Sequence, residues 1–590
     1  MRAPKIAFKI AVGASVALAL GGAFFFFRQQ APSPTSCHAA LHYSYFSTPP
    51  IFDKGYAEAP VERPDASIKA ILVPHHLLAA RLIAEAFGKI ATDRAVTVVL
   101  ISPNHFSAGK GKIITTAAAW RTPYGRLESD CGAVQALKSA GAASIEEDPF
   151  VKEHGISGIV PFIKKSLPNA RVVPVIVRDD ASDVDLERFT RAAKKTFGPD
   201  TLFVASFDFS HDMTDTAAQF HDRKSLAVID ALVDADAKAL DIDSVPGLRL
   251  SMRLLDGLGA TKFSLLAHSN SSQLTGRADQ PDVTSYLVGT FSAGEKTMDD
   301  DVTLLACGDL MLARDVETRI RHDGPTYPFE GVPRLFKGSD IVIANAEGVF
   351  ADVGDQKPMS DDDLRFSFAT SLLPVLRRVG FTHLGSANNH AFNFGQATLE
   401  ASRGLMREAG IVPFGDPTNA GGIVSRTYVR GRYVTQIGYH QFSGHGPEDV
   451  LAAILAARKA GDFVVVYPHW GVEYAPKPTQ LQVSLAHAFI DAGADVVIGA
   501  HPHVIQPIEV YKGRAIFYSL GNFIFDQPAD GPTGQGLALG VADGAQGTTF
   551  YLMPIDIRRA QAALMPYAKR STLLQKLGYP SGIFTLKHSP

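Results

Sequence analysis

Three histidines stand just beyond two short apolar runs in the C-terminal half of the chain. His469 follows the run 463–466, and His501 and His503 follow the run 496–498. Short β-branched runs of this kind are typical of buried strands in an α/β sheet, and ligands bind beyond the carboxyl ends of such strands. Only Pro502 separates His501 from His503, and extended backbone would direct both imidazoles to one side. One histidine at a strand end is often structural, but a series of three favours a metal site.

Other apolar runs of the same region also lead into side chains that can bind a cation. The runs 302–307, 341–344 and 382–386 are followed by the candidate ligands Asp309, Asn345, Glu347, Asn388, Asn389 and His390. Carboxylate, amide and imidazole donors together suit one or two divalent cations such as Mn, Zn or Fe, and a pair of ions can clamp a phosphoryl or related oxyanion. Singly, the aspartate would read as a helix cap and the asparagines as a turn, but the ordered series favours a metal site.

A second set of histidines follows predicted strands in the N-terminal half. His75 follows the run 68–73, His105 follows 96–102, and His211 follows 201–206 through Asp208, while His154 precedes a helical segment. Imidazoles at strand ends again predict a metal or small-molecule site. Histidines that brace loops are the alternative interpretation.

Strand and helix patterns alternate along most of the chain, and this alternation predicts two α/β domains with largely parallel sheets. The small, polar and acidic segment 292–301 is the predicted boundary between them. We therefore expect an anchor over residues 1–30, a linker over 31–66, a first domain over 67–295, a second domain over 301–560 and a tail over 561–590.

The N-terminus carries a targeting pattern. Arg2, Lys5 and Lys9 precede the apolar run 10–27, which Arg28 closes. A run of this length can cross a bilayer, and positive residues before it favour a cytoplasmic N-terminus. We expect an uncleaved transmembrane helix with an extracytoplasmic protein behind it, and a cleaved signal peptide is the alternative.

Composition excludes several classes of protein. A formal net charge of -3 gives no reason to expect nucleic acid as a partner. The three cysteines, Cys37, Cys131 and Cys307, lack CxxC spacing, which excludes a zinc ribbon and a disulfide framework. A hydrophobic content of 46% with 20% charged residues is ordinary for globular α/β domains.

Several uncommon motifs of the C-terminal half occur in an order that resembles the CapA (poly-γ-glutamate synthesis PgsA) family of capsule-synthesis proteins. These motifs are GDLMLAR, NAEGVF, ANNHAFNFG, HWGVEY, GAHPHV and YSLGNFIFD, over residues 302–526. That family is similar in fold to the calcineurin-like metallophosphoesterases, so the resemblance implies a four-layer αββα domain. It also implies metal-site residues, with Glu347 as a candidate bridging ligand: Asp309, Glu347, Asn389, His469, His501 and His503. The implied catalytic residues are His390, as general acid, and Asn389.

The sequence departs from the phosphoesterase pattern at two positions. Met311 stands where those enzymes have the histidine of an Asp-x-His motif, so one ligand is missing, which implies either a single metal ion or a weakly bound second one. Asn393 stands where an aspartate usually follows the general acid, which removes a charge near His390.

The N-terminal half resembles the Memo-like family (AmmeMemoRadiSam system protein B), which is similar in fold to the class III extradiol dioxygenases. The motifs LVPHH, SPNH, WRTPYGRLESD, EHGISGIVPF and SFDFSH carry this resemblance over residues 67–291. It implies His75, His105 and His211 as site residues, with His154 and Asp208 nearby. The cysteine usual in the segment 244–252 is absent, and Ile156, Ser157 and Gly158 stand where a glutamate is usual. A thiolate-based redox site is therefore not expected. We expect either a degenerate pocket or a purely structural partner for the second domain.

Together these patterns predict an envelope protein of the capsule-synthesis type. We expect a metal-dependent hydrolase or transferase that acts on a cell-envelope polymer or its phosphorylated precursor. The alternative is a non-catalytic, membrane-anchored component of polymer assembly or export with a degenerate Memo-like partner domain.

Overall fold

The computed structural model describes residues 40–296, 301–353, 364–421 and 423–588, which form two α/β domains. The run 10–27, where a transmembrane helix was expected, lies outside these residues. Within the described ranges, no helix has both the length and the apolar character needed to span a bilayer. The transmembrane helix in the predicted fold class is therefore not supported, and the fold class is corrected to two α/β domains.

The first domain is built on a 12-stranded mixed sheet. Its strands are β1 (Leu41–Tyr43), β2 (Ile68–Val73), β3 (Thr97–Pro103), β4 (Ile113–Thr115), β5 (Ala119–Thr122), β6 (Gly125–Ser129), β7 (Ser144–Ile145), β8 (Arg171–Val177), β9 (Thr201–Ser206), β10 (Phe209–Met213), β11 (Lys262–Asn270) and β12 (Val283–Ser292). Its helices are α1 (Pro50–Glu58), α2 (Ala80–Lys89), α3 (Cys131–Ser139), α4 (His154–Ser157), α5 (Val160–Ser166), α6 (Asp183–Thr196), α7 (Asp215–Ala231), α8 (Val245–Gly257) and α9 (Ser271–Thr275).

The centre of this sheet is parallel and covered on both faces. β3 pairs in parallel with β8 and β9, and β9 pairs in parallel with β2, so the strands that precede the candidate histidines end at one edge. Successive residues of β3 point into different cores: Val98 and Leu100 into one, Val99 and Ile101 into the other. That burial on both faces explains why the strand reads as an unbroken apolar run.

The segment predicted as a linker contributes to the first domain. β1 pairs in parallel with β5, and α1 packs on α2. Gly55 permits the close approach of these helices, because a Cβ atom there would lie 2.8 Å from the carbonyl oxygen of Ala80.

The second domain contains two large sheets. Its strands are β13 (Val302–Leu310), β14 (Ile341–Ala346), β15 (Val349–Phe350), β16 (Ser367–Phe368), β17 (His383–Gly385), β18 (Val412–Phe414), β19 (Val424–Val429), β20 (Arg432–His440), β21 (Phe463–His469), β22 (Val496–Ile498), β23 (Ile508–Tyr511), β24 (Arg514–Phe517), β25 (Asn522–Ile524), β26 (Gln535–Gly544), β27 (Gly547–Arg558), β28 (Gln561–Leu564) and β29 (Ile583–Leu586). Its helices are α10 (Arg314–Asp323), α11 (Leu373–Val379), α12 (Gln396–Glu408), α13 (Glu448–Lys459), α14 (Gln480–Ala492) and α15 (Tyr567–Lys576).

The two sheets face each other across an apolar core, with helices on both outer sides. One sheet has the order β18-β17-β14-β13-β26-β27-β28, and the other has the order β19-β20-β21-β22-β24-β23. Leu304 and Ile343 of the first meet Val465 and Ile498 of the second in one buried cluster. Helices α13 and α14 cover the outer face of the second sheet, which gives an αββα arrangement.

Residues 561–588 are part of this domain, although a tail was predicted there. Both β28 and β29 pair antiparallel with β27. Short edge strands of this kind carry too little periodicity to be recognised from sequence.

The two domains share a buried interface built on α7 of the first domain. Phe220 of α7 is fully buried, and its ring centroid lies 5.4 Å from that of Tyr551 on β27. A polar edge adjoins this contact: Lys224 Nζ donates to the carbonyl oxygen of Ser339 at 2.8 Å, and an Arg334 guanidinium nitrogen lies 2.6 Å from Asp241 Oδ1. Helix α7 thus serves as part of the outer layer of the second domain.

Candidate metal centre

Strand pairing in the second domain brings the candidate ligands to one edge of the two sheets. Asp309 lies in β13 opposite Asn345 of the parallel strand β14, and Glu347 follows β14 directly. Gly308 makes this arrangement possible, because a Cβ atom there would lie only 1.9 Å from the carbonyl oxygen of Gly521.

Asp309, Glu347 and His503 form the buried centre of the site. One ligand atom from each lies within 4.8 Å of the others. His503 Nδ1 is 3.4 Å from Asp309 Oδ2, and His503 Nε2 is 3.6 Å from Glu347 Oε1. Glu347 Oε2 is buried and has no hydrogen-bond partner among the described residues. A buried carboxylate oxygen without a partner is costly, so the arrangement fits a cation.

The pKa values of Glu347 and His503 also indicate that this group favours a bound positive charge. Burial raises the pKa of Glu347 well above its ordinary value, and the neighbouring Asp309 carboxylate adds to the effect. Burial alone would lower the pKa of His503, but Glu347 and Asp309 raise it to about 10. The protein alone therefore supplies positive charge as an imidazolium, and a bound metal ion would displace that proton.

His501 and His503 are held in an uncommon backbone conformation. Their φ angles are +95° and +58°, in a region that side chains larger than glycine seldom adopt. The backbone N–H of His501 donates to Asp309 Oδ2 at 3.2 Å, and His501 Nδ1 is buried without a partner in the described part of the chain. Strain of this kind is found at functional sites, where it fixes side chains in place.

Side-chain amides surround His469. Asn345 Nδ2 donates to Asp309 Oδ1 at 2.8 Å and to His469 Nδ1 at 3.2 Å, and His469 Nε2 donates to Asn389 Oδ1 at 2.8 Å. Asn388 Nδ2 in turn donates to Asn345 Oδ1 at 3.0 Å. The structure thus brings His469 and Asn389 to the site, but it bonds them to each other, and His469 also to Asn345.

His390 lies beside the buried carboxylates, with one ring nitrogen towards Glu347. Its Nδ1 donates to Asn393 Oδ1 at 3.0 Å, and its Nε2 lies 3.8 Å from Glu347 Oε1. Burial lowers the pKa of His390 to about 4. Asn393 therefore keeps the hydrogen bond that orients the ring, without the charge of an aspartate.

Met311 offers no donor to the site. The side chain is fully buried in an apolar cluster, where its sulfur accepts a hydrogen bond from the backbone N–H of Ala313 at 3.1 Å.

Two residues of the site were missed by sequence reasoning. Asn522 Oδ1 accepts from His503 Nδ1 at 2.9 Å, and Glu473 lies within ligand distance of His501 and His503. Asn522 lies within the motif YSLGNFIFD, which is a usable signal. Glu473 lies on a loop four positions beyond His469 and within the motif HWGVEY, which is a signal of the same kind.

Comparison with known proteins identifies the family. Residues 303–527 match the model for the bacterial capsule synthesis protein PGA_cap, and residues 52–289 match the model for Memo-like proteins. The PGA biosynthesis protein CapA of Bacillus subtilis is 33% identical over 318 residues, which cover 51% of this chain and 80% of that protein. The chain belongs to the CapA family.

Other relatives agree with this assignment and with the predicted fusion of two domains. The capsule biosynthesis protein CapA of Bacillus anthracis is 34% identical over 249 residues, which cover 39% of this chain and 61% of that protein. A MEMO1 family protein of Methanothermobacter thermautotrophicus is 28% identical over 234 residues, which cover 37% of this chain and 83% of that protein. An N-terminal Memo-like domain is thus joined to a C-terminal CapA domain. Both family resemblances predicted from the sequence are confirmed.

The Memo-like domain has a histidine cluster of its own. His75, His105 and His154 lie within ligand distance of one another, and the rings of His105 and His154 stack with centroids 4.0 Å apart. His75 Nε2 lies 3.4 Å from Asp208 Oδ2. Burial lowers the pKa of His75 to about 4.

His211 stands apart from these ligand atoms, although it was predicted as one of three converging histidines. It lines a cavity of ≈ 720 Å³ together with His75, His154 and Asp208. Among the described residues, His154 takes its place in the ligand-distance group.

Two carboxylates of this cluster were not predicted. Glu153 Oε1 lies 2.6 Å from His105 Nδ1, and Asp243 Oδ2 lies 3.3 Å from His75 Nε2. Burial and the charge of Asp208 raise the pKa of Asp243. Asp243 directly precedes the segment 244–252 in which a cysteine was sought, so the site offers carboxylate in place of thiolate.

Proposed function

We propose that the CapA domain is a divalent-cation-dependent hydrolase or transferase that acts on phosphoryl or related ester groups of a cell-envelope polymer or its phosphorylated precursor. The observation that supports this proposal is the buried group of Asp309, Glu347 and His503, with Glu347 Oε2 left unpartnered. A cation held by these residues supplies Lewis-acid stabilisation of the developing oxyanion.

The remaining residues of the site have separate tasks. Asn345 and Asn388 fix the orientation of Asp309 and His469 through the amide network. His390 places its Nε2 beside Glu347, with its ring fixed by Asn393, so that nitrogen can accept a proton and pass it to a leaving oxygen.

Exposed aromatic side chains flank the site and favour a bulky substrate. The ring of Phe442 lies 4.8 Å from that of His501 and is 46% exposed, and the ring of Tyr474 lies 6.1 Å from that of His503 and is 55% exposed. Flat apolar faces beside the histidines suit the non-reacting part of a polymer, such as a sugar or peptide unit. A substrate of the cell envelope accords with the extracytoplasmic location, which stays a prediction.

A second candidate function is a non-catalytic role in polymer assembly or export. The observation that favours it is Met311, whose burial in the apolar core leaves the first strand end without an imidazole.

Metal content and turnover measured on the same samples decide between the two functions. We would load the purified protein with Mn²⁺ and assay a phosphomonoester and a phosphodiester with wild type, Glu347→Gln and the exposed control Glu448→Gln. Loss of metal and turnover only in Glu347→Gln is the expected result. Metal bound without turnover on any ester would favour the assembly role, and wild type without metal would contradict the proposal.

A further inference from the structure

Glu473 is a carboxylate beside the metal centre that lies outside the buried group of Asp309, Glu347 and His503. Glu473 lies in the loop between β21 and α14 and is exposed to solvent. One of its carboxylate oxygens and one ring nitrogen each of His501 and His503 lie within 4.8 Å of one another. Glu473 therefore reaches the same centre from the solvent side.

The loop that carries Glu473 is fastened to the turn that carries the histidines. The backbone N–H of Tyr474 donates to the carbonyl oxygen of Pro502 at 2.8 Å, and Gln506 Nε2 donates to the carbonyl oxygen of Ala475 at 2.9 Å. Tyr474 has a φ angle of +63°, a conformation that a residue with a side chain adopts only where its surroundings demand it. The position of Glu473 beside the histidine turn is thus built into the fold.

His501 carries a ring nitrogen without a partner in the ranges that the structure describes, which is an independent indication of a ligand. Its Nδ1 is buried and has no hydrogen-bond partner among the described residues, and the whole residue is 6% exposed. A ring nitrogen in that state needs either a hydrogen-bond partner or a metal ion.

The candidate ligands form two overlapping groups, and these could hold two metal ions, one buried and one nearer the solvent. A ring nitrogen binds one ion, and His503 Nε2 faces Glu347 in the buried group. His501 and Glu473 remain as the donors of an outer position. The first strand end would ordinarily supply an imidazole to such a centre, but Met311 is turned into the apolar core.

We propose that Glu473 is a ligand of an outer divalent cation in the CapA domain, together with His501, and that it takes the place of the imidazole missing at Met311. This inference rests on the cation site of the proposed function. An exposed carboxylate in place of an imidazole shifts the preference of the outer position from Zn²⁺ towards Mn²⁺ or Mg²⁺.

Binding of Mn²⁺ to the full chain tests this inference without reference to activity. We would measure stoichiometry and affinity by isothermal titration calorimetry, and coupling between ions by electron paramagnetic resonance. Wild type and the exposed control Glu448→Gln should bind two ions, whose coupling broadens and splits the spectrum. Glu473→Gln should keep one ion and give an uncoupled spectrum, with affinity for the outer ion reduced at least about tenfold.

The outcomes separate this inference from the proposed function. Two ions of unchanged affinity in Glu473→Gln would overturn the role of Glu473 and leave the proposed function standing. A single ion of equal affinity in wild type and Glu473→Gln would also overturn the role of Glu473 and leave the proposed function standing. No ion in either protein would overturn both.

Discussion

Truncation of Phe220 to alanine tests whether the Memo-like and CapA domains share one core. The side chain is fully buried, and a Cβ atom at Gly540 of β26 would lie only 2.7 Å from its Cδ2. Large-to-small changes at buried phenylalanines cost about 3–5 kcal/mol. Because Phe220 is surrounded by residues of both domains, we expect a loss of about 3–4 kcal/mol from the free energy of unfolding of the whole chain.

The two tryptophans provide a separate reporter for each domain. Trp120 lies in β5 of the Memo-like domain and Trp470 follows β21 of the CapA domain, and both are fully buried. Urea unfolding would be followed by fluorescence in Trp120→Phe and Trp470→Phe backgrounds, each of which keeps one reporter. If the core is shared, Phe220→Ala lowers the midpoint seen by both reporters, and the two curves coincide.

A buried phenylalanine away from the interface serves as the matched control. Phe189 of α6 packs in the core of the Memo-like domain. With a shared core, Phe189→Ala also lowers both midpoints. If Phe189→Ala moves only the Trp120 signal, or if Phe220→Ala costs less than about 1 kcal/mol, the reasoning about the interface is refuted.

Further predictions concern the interface and the position of a ligand. Burial alone would raise the pKa of Asp241, but a hydrogen bond from a buried histidine and the charge of Arg334 lower it to about 2. The folded-state pKa is thus below the unfolded value, so Asp241 stabilises the fold above about pH 4, and about 2 kcal/mol is lost as the pH falls towards 2. Acid unfolding curves should show a weaker pH dependence in Asp241→Asn, and identical slopes would contradict this. Gly308→Ala should push β13 away from a neighbouring loop carbonyl, displace Asp309 and lower Mn²⁺ affinity in calorimetry at least about tenfold. Gly404→Ala, which has open space around its Cβ position, should leave that affinity unchanged.

Local patterns predicted the strands and the side chains that follow them. The strands 68–73, 201–206 and 496–498 have the predicted bounds because a strand buried on both faces is largely apolar. Asp309, Glu347 and His503 could be proposed for the same reason, since parallel strands deliver their carboxyl ends to one edge of a sheet.

Residues placed by tertiary contacts could not be predicted in this way. Glu473 and Asp243 lie outside the strands that carry the other site residues, and each reaches its site through the packing of another segment. His211 follows β9 at a distance of five residues and lies within β10, where its neighbours Ser210 and Asp212 have positive φ angles, and it lines the cavity wall.

The division into domains was also only partly predictable. The polar boundary at 292–301 separates the two sheets, but the contact of α7 with β26 and β27 depends on two complementary surfaces that are distant in sequence. For the same reason, β1 and α1 were taken for a linker and β28 and β29 for a tail.

Anomalous scattering from crystals grown with Mn²⁺ tests the central claim most directly. We expect an anomalous peak for Mn²⁺ among Asp309, Glu347 and His503, with carboxylate oxygens and a ring nitrogen about 2.0–2.3 Å from it. A difference map without a peak at this place, with Glu347 bonded only to protein atoms, would contradict the claim that the CapA domain holds a catalytic cation.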